Sequence, residues 1–335
     1  MQFDADFGKF TPLNEDSWDE IDEVFDNTLE QYENGDLSRG EFVSFCKNII
    51  KREPLYFDAY AHIGITLRES NPTESAKYYK KGVEIGISLL SESYRGEISW
   101  LSLSNRPFLR CHHGYILSLV RKRKYKLAVE EIEKHLGWNE NDNIGVRYLI
   151  GELYILTKNY ALAKDSMVKY VSEHPPYCYS LGLLAFLEKN YASAITYFRF
   201  GFLMNPYLAE VITGRVRLIK HKFWHGTSRM HPEMAISHLE YIGEELWAKH
   251  MDAIIFLDWL FNCSFVLKER SAFVECLEAL DTEDDFNKRG TLIANENLIT
   301  NNINDETSAT LVKKITFRGR DRWPWESGDI LDNFR

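Results

Sequence analysis

Nine prolines and nineteen glycines among 335 residues are too few for the turn-rich connections of a sandwich or barrel. The five cysteines, at 46, 111, 178, 263 and 276, are odd in number and include no CxxC pair. That pattern argues against a disulfide framework and a paired-cysteine zinc site, and is expected of reduced, mostly buried thiols. No apolar run is long enough to span a bilayer, and the stretch from Ala253 to Phe261 is broken by Asp258. The first residues, MQFDADFGKF, lack the basic-then-apolar order of a signal peptide. The expectation is a cytoplasmic protein without membrane association. There is also no GxSxG elbow, Walker A loop or glycine-rich dinucleotide turn, so neither an enzyme nor a cofactor is expected.

Basic residues are absent where acids are densest. From Glu15 to Asp36 there are ten acids and no Lys or Arg, and residues 1–60 account for the whole net charge of −10. The bland reading is a solvated helix face around Ile21, Val24, Phe25 and Leu29. The functional reading is a surface for a basic partner.

What is abundant is apolar and aromatic, at 44% and 14% of the chain, and it recurs with a period. Gly151, Ala163 and Pro175 lie twelve residues apart, and Gly182, Ala194 and Pro206 repeat the spacing. Tyr154, Tyr160, Met167 and Tyr170 match Ala185, Tyr191, Phe198 and Gly201 at equal offsets. Gly64 with Ala76, and Ile116 with Ala128, keep the same interval. Small residues at this spacing let two antiparallel helices cross closely, and proline ends the second. This is the tetratricopeptide (TPR) signature, a helical hairpin that buries its apolar face against its neighbours.

The predicted fold is an all-α, TPR-type solenoid with a helical C-terminal cap and a partly irregular tail. An acidic helical hairpin occupies 1–54, with helices over Trp18–Asn34 and Ser38–Arg52. Repeats fill 55–206, at about 55–90, 106–140, 141–175 and 176–206. A cap spans 207–280, with its last helix over Ser271–Leu280. A polar tail, 281–335, is expected to be irregular with one short strand, docked through Trp323 and Trp325. An insertion at 91–105 carries an exposed-looking Trp100.

The blocks NRPFLRCHHG (105–114), NENDNIGVRYL (139–149), NPYLAEVITG (205–214), HGTSRMHPEMAISHLEYIGEELW (225–247) and AIIFLDWL (253–260) resemble, in that order, a family of bacterial TPR proteins. That family is similar to the TPR part of the suppressor-of-tumorigenicity-7 family. The resemblance covers about residues 50–261; it implies the helical-repeat fold and carries little chemistry. The membrane segments of the tumour-suppressor relatives have no counterpart here.

The resemblance also implies a groove lined by the first helix of each hairpin. Its first two units supply Asp58, Ala61, Ile65, Arg68 and Glu69, then Arg110, His113, Leu117, Val120 and Arg121. The last two supply Tyr148, Glu152, Ile155 and Leu156, then Tyr179, Leu183, Phe186 and Leu187. The lysine and asparagine with which co-chaperone relatives clamp a carboxylate are replaced by Ala61/Ile65, His113/Leu117, Tyr148/Glu152 and Tyr179/Leu183. The groove is therefore expected to bind a protein or peptide with apolar side chains and an acidic end. Arg110, His113, Arg121, Tyr148 and Glu152 would make its polar contacts, and Tyr179, Leu183 and Phe186 its apolar anchors. The competing expectation is that the C-terminal helices or tail fill this groove themselves.

Three other constellations bear on function. Asn139, Asn141 and Asn143 resemble the start of a calcium loop, but the sixth and twelfth positions are Ile144 and Ile150 instead of Gly and Glu. Asp142 or Asn143 reads better as a helix cap. His221 and His225, with His231 as a third ligand, could bind a metal or serve a hydrolase, although no HExxH motif is present. RKRKYK (121–126) and RVRLIKHK (215–222) could bind RNA or another polyanion, against the overall acidity of the chain.

Overall fold

The computed structural model describes residues 1–214, 231–317 and 319–326, and over these the protein is mostly α-helical. The chain forms two compact units, 1–153 and 154–335, whose boundary falls within a helix.

Unit 1 opens with a β-hairpin that the sequence reading missed. Strand β1 (Gln2–Asp4) pairs antiparallel with β2 (Lys9–Thr11), placing Phe3 opposite Phe10. Phe10 is fully buried against Phe57 and Phe108. Then follow α1 (Glu15–Glu33), α2 (Arg39–Arg52), α3 (Phe57–Leu67), α4 (Pro72–Leu89), α5 (Arg106–Arg121), α6 (Tyr125–Trp138) and α7 (Arg147–Leu156). Caps fix the starts: Ser38 and Glu41 form a reciprocal capping box on α2, and the Asn71 side chain accepts from the Glu74 N–H at the head of α4. Helix α3 packs on α4 and α5, and α5 packs on α4 and α6.

The glycine at Gly64 has a direct cause here. A Cβ on it would sit 2.5 Å from the Tyr79 ring of α4, and one on Gly114 of α5 would sit 2.2 Å from the same ring. Tyr79 therefore wedges between α3 and α5 only because both lack side chains there. Ala76, Ala128, Ala163 and Ala194, the partners at +12, are all buried. In the insertion Trp100 is half-buried, against expectation. Arg106 covers its ring and its backbone N–H donates to Asn139, while Leu101 and Leu103 are the exposed large apolar side chains of the insertion.

Unit 2 contains α8 (Tyr160–Val168), α9 (Pro175–Leu187), α10 (Tyr191–Met204) and α11 (Pro206–Ile212). Helix α12 (Pro232–His238) begins at Pro232, and a π-helical turn (Leu239–Gly243) carries it into α13 (Glu244–Trp247). Next come α14 (Met251–Asn262) and α15 (Ser264–Thr282). The stretch after 281, read as irregular, instead forms α16 (Phe286–Asn301) and α17 (Asp305–Ala309), then an antiparallel pair, β3 (Ile315–Phe317) and β4 (Arg320–Arg322). The docking expected of the tail tryptophans is present: Trp325 packs on Phe256, Trp259 and Tyr191, and Trp323 stacks on Trp325.

One buried ion pair organises the end of unit 2. Arg199 of α10, fully buried, donates through Nε to Glu269 of α15 at 2.9 Å and through Nη1 to Thr307 and Ser308 of α17. Nearly all hydrogen-bonding capacity of the guanidinium is used, which is what a charge removed from water needs.

Candidate functional site

The positions expected to line a groove do not share one environment. In unit 2 the apolar anchors are inside the protein. Tyr179 is 1% exposed, lies against Gly201, and donates its hydroxyl to the Asn205 carbonyl at 2.7 Å. Leu183 is fully buried, and Phe186, 8% exposed, packs on Phe256 of α14 with ring centroids 5.0 Å apart. These three residues are therefore not available as anchors for a partner, because the molecule's own α10 and α14 already fill that face. Of these two helices only α14 belongs to the expected C-terminal cap, and it covers Phe186, whereas Tyr179 is covered by α10, the partner of α9 in its own hairpin.

In unit 1 the polar candidates separate. Glu152 is fully buried, so it is not a surface contact. Arg110 is engaged by Asp58 in an ion pair, and is not a free cation awaiting a ligand. Tyr148 is half-buried beneath the Arg147 guanidinium, 4.7 Å from its ring centroid. His113 is half-buried, and burial, aided by His112 and Arg68, pushes it down to about 4, so it is neutral at physiological pH.

Arg121 is the candidate that opens onto space. It donates to Glu69 at 2.8 Å and to the Arg68 carbonyl at 3.1 Å, and Arg68 itself pairs with Glu69 at 3.1 Å. The Arg121 hydrogen bond and charge, with Arg68 behind them, hold the Glu69 carboxyl below its usual range. Beside this cluster lies a cleft of about 280 Å³, walled by Tyr79, Gly114 and Leu117 and edged by Arg68, Arg121 and Lys122. Ile65, near the end of α3 and four residues before Glu69, is 45% exposed. An apolar floor next to two arginines and a lysine can hold an aliphatic side chain and a carboxylate together. Tyr79 and Lys122 were missed as wall residues because neither falls on the groove-facing positions. The Gly64–Ala76 spacing was the available signal for a close crossing here.

The interior of the same unit holds a polar chain. His112 hydrogen-bonds Glu131 at 3.0 Å and His135 at 3.2 Å, and Lys134 donates to Glu131 at 2.7 Å. With both rings neutral, His112 donates Nε2–H to Glu131, and His135 donates Nδ1–H to the remaining His112 nitrogen. Both nitrogens of His112 are then used, and none is left for a metal. Burial pushes His135 down to about 2 and lowers His112 as well.

Asp142 settles the NENDNIG stretch as a cap. Its buried carboxylate accepts from the N–H groups of Gly145, Val146 and Arg147, at 3.0, 3.0 and 2.7 Å, just where α7 begins. Every carboxylate lone pair spent on the backbone is lost to an ion, so the loop is a helix start in its chemistry too. Asn139 is fully buried and Asn143 exposed, so the alternating asparagines do not converge.

Of the histidine set, His221 and His225 lie outside the described residues, as does the basic stretch 215–222. His231 places Nδ1 3.7 Å from Glu233. Among the described residues no group of three or more His, Cys, Asp or Glu could hold a metal ion, and no helix is long and apolar enough to cross a membrane. No protein-family model and no curated protein matches the chain.

Proposed function

We propose that the chain is a TPR-type scaffold or adaptor that acts by binding, and that unit 1 receives the acidic end of a peptide or protein segment in the cleft between α3, α4 and α5. The observation that carries this reading is the cleft itself: about 280 Å³, apolar at Leu117 and Tyr79, with Arg68, Arg121 and Lys122 at its edge. Glu69 already occupies Arg121 in the way an incoming carboxylate would, and at 70% exposure its side chain can swing into water when displaced. The repeat spacing and the packing of α3 on both α4 and α5 support the TPR assignment. The bacterial family resembled in the sequence supports it further.

The test is selection of random peptides on the immobilised full chain. Enrichment of sequences pairing apolar residues with an acidic end, lost when Arg68→Glu and Arg121→Glu are combined, is the expected result. No enrichment, or enrichment indifferent to the double variant, would sink the reading. The cluster formed by Lys122, Arg123 and Lys124 keeps one second reading, polyanion binding at the same edge. Steeply salt-dependent retention on RNA, with no selected peptide, would favour it.

A further inference from the structure

A second cavity in unit 1, of about 290 Å³, has acidic and aromatic walls, among them Asp19, Asp22, Asp58, Trp18, Tyr56 and Leu103. We propose that it receives one lysine or arginine side chain from an apolar-basic segment of a protein partner. This surface is distinct from the α3–α5 cleft, and the inference goes beyond the acidic-peptide reading.

Charge balance is the first argument. Of the three carboxylates only Asp58 has a cation, Arg110. Asp22 accepts from the Tyr56 hydroxyl at 2.6 Å, a neutral donor, and Asp19 has no ion pair among the described residues. Burial holds the Asp22 and Asp58 carboxyls above their usual range despite Tyr56 and Arg110. The surrounding helix α1 belongs to the stretch of ten acids without a base. A cation entering the cavity gains from all of these groups, in a site shielded enough for the attraction to count.

The kind of cation follows from the walls. These carboxylates do not form a group that could hold a metal ion. Instead the half-buried Trp18 ring, backed by the buried Tyr56 ring with centroids 5.5 Å apart at 45°, gives the cavity an aromatic wall suited to the aliphatic stem and charged head of Lys or Arg. At the rim, Leu103 is 70% exposed in a short 3-10 turn, Leu103–Asn105. That turn is fixed: Asn105 accepts from the Phe10 N–H at 3.0 Å and donates to the carbonyls of Gly8 and Ser99 at 2.9 and 3.0 Å. A preformed apolar knob beside an acidic hole matches a segment in which an apolar side chain neighbours a basic one.

The experiment titrates the full chain with a fluorescent peptide of alternating lysine and leucine, and with the same peptide carrying glutamine for lysine. Binding of the first and not the second is expected. Asp19→Asn with Asp22→Asn should weaken it about tenfold, and the fold should survive because the amide oxygen introduced by Asp22→Asn can still accept from Tyr56. Leu103→Ser should weaken it without disturbing the fold. Arg121→Glu should leave it unchanged, so failure of the α3–α5 reading would not imitate failure here. Glu30→Gln with Glu33→Gln, on the same helix but not lining the cavity, is the control for general acidity. Equal losses from that pair and the aspartate pair would overturn the proposal, as would no binding by the wild-type chain or undiminished binding by the aspartate variant.

Discussion

Arg199 and the His112–His135 pair show how single residues set the stability of each unit. Replacing Arg199 by Met leaves Glu269 buried and unpaired, and removes one donor from each of the Thr307 and Ser308 hydroxyls of α17. We predict a loss of about 3–5 kcal/mol in urea denaturation, with recovery when Glu269→Leu is added, because it is the orphaned charge that costs. The histidines make a prediction about pH. His135 is held down to about 2, and His62 and His113 to about 4, all below the ordinary value. The unfolded chain therefore takes up protons first, and this contribution to stability is whole above the unfolded pKa. It is lost progressively as pH falls from there towards the folded values. Denaturation midpoints at pH ~7 and ~5 should differ more for the wild type than for His135→Phe. Equal differences would contradict it. Asp142 belongs at this scale too. The missing Gly and Glu made its capping role legible, but not the three N–H groups it would gather. Asp142→Ala should cost about 2 kcal/mol with no change in metal binding.

At the scale of elements, the repeat interval was legible because it reflects backbone approach: Gly64 and Gly182 admit Tyr79 and Phe198. The caps at Ser38 and Asn71, and the proline at the start of α12, follow from the same kind of local chemistry. What failed was the environment of α9. Its sequence, PPYCYSLGLLAFL, has no charged residue, and a helix apolar all round is covered all round. The repeat period alone predicts an open face for Tyr179, Leu183 and Phe186, and the uniformly apolar composition of the helix overrides it. Helix α16 failed in the other direction. None of its residues is buried, so its Asn-rich, weakly patterned sequence gave no apolar stripe to read. Only Asp285, whose carboxylate accepts from the Lys288 N–H, marks its start. Amide exchange should accordingly be much faster in α16 than in α9, measured on the intact chain. Comparable protection would contradict this packing.

For the whole molecule, the net charge of −10 conceals opposite surfaces on unit 1. Acids gather around α1 and its aromatic cavity, while cations gather where α5 turns into α6. One unit thus carries two clefts whose linings are of opposite sign. The decisive measurement is the affinity of a selected acidic-ended peptide for three full-length chains: wild type, Arg121→Glu and Phe186→Ala. At least about tenfold weaker binding by Arg121→Glu is expected if the α3–α5 cleft receives the peptide. Phe186→Ala should keep its affinity while losing about 3 kcal/mol or more of stability. The reverse pattern, with binding lost at Phe186 and kept at Arg121, would contradict it.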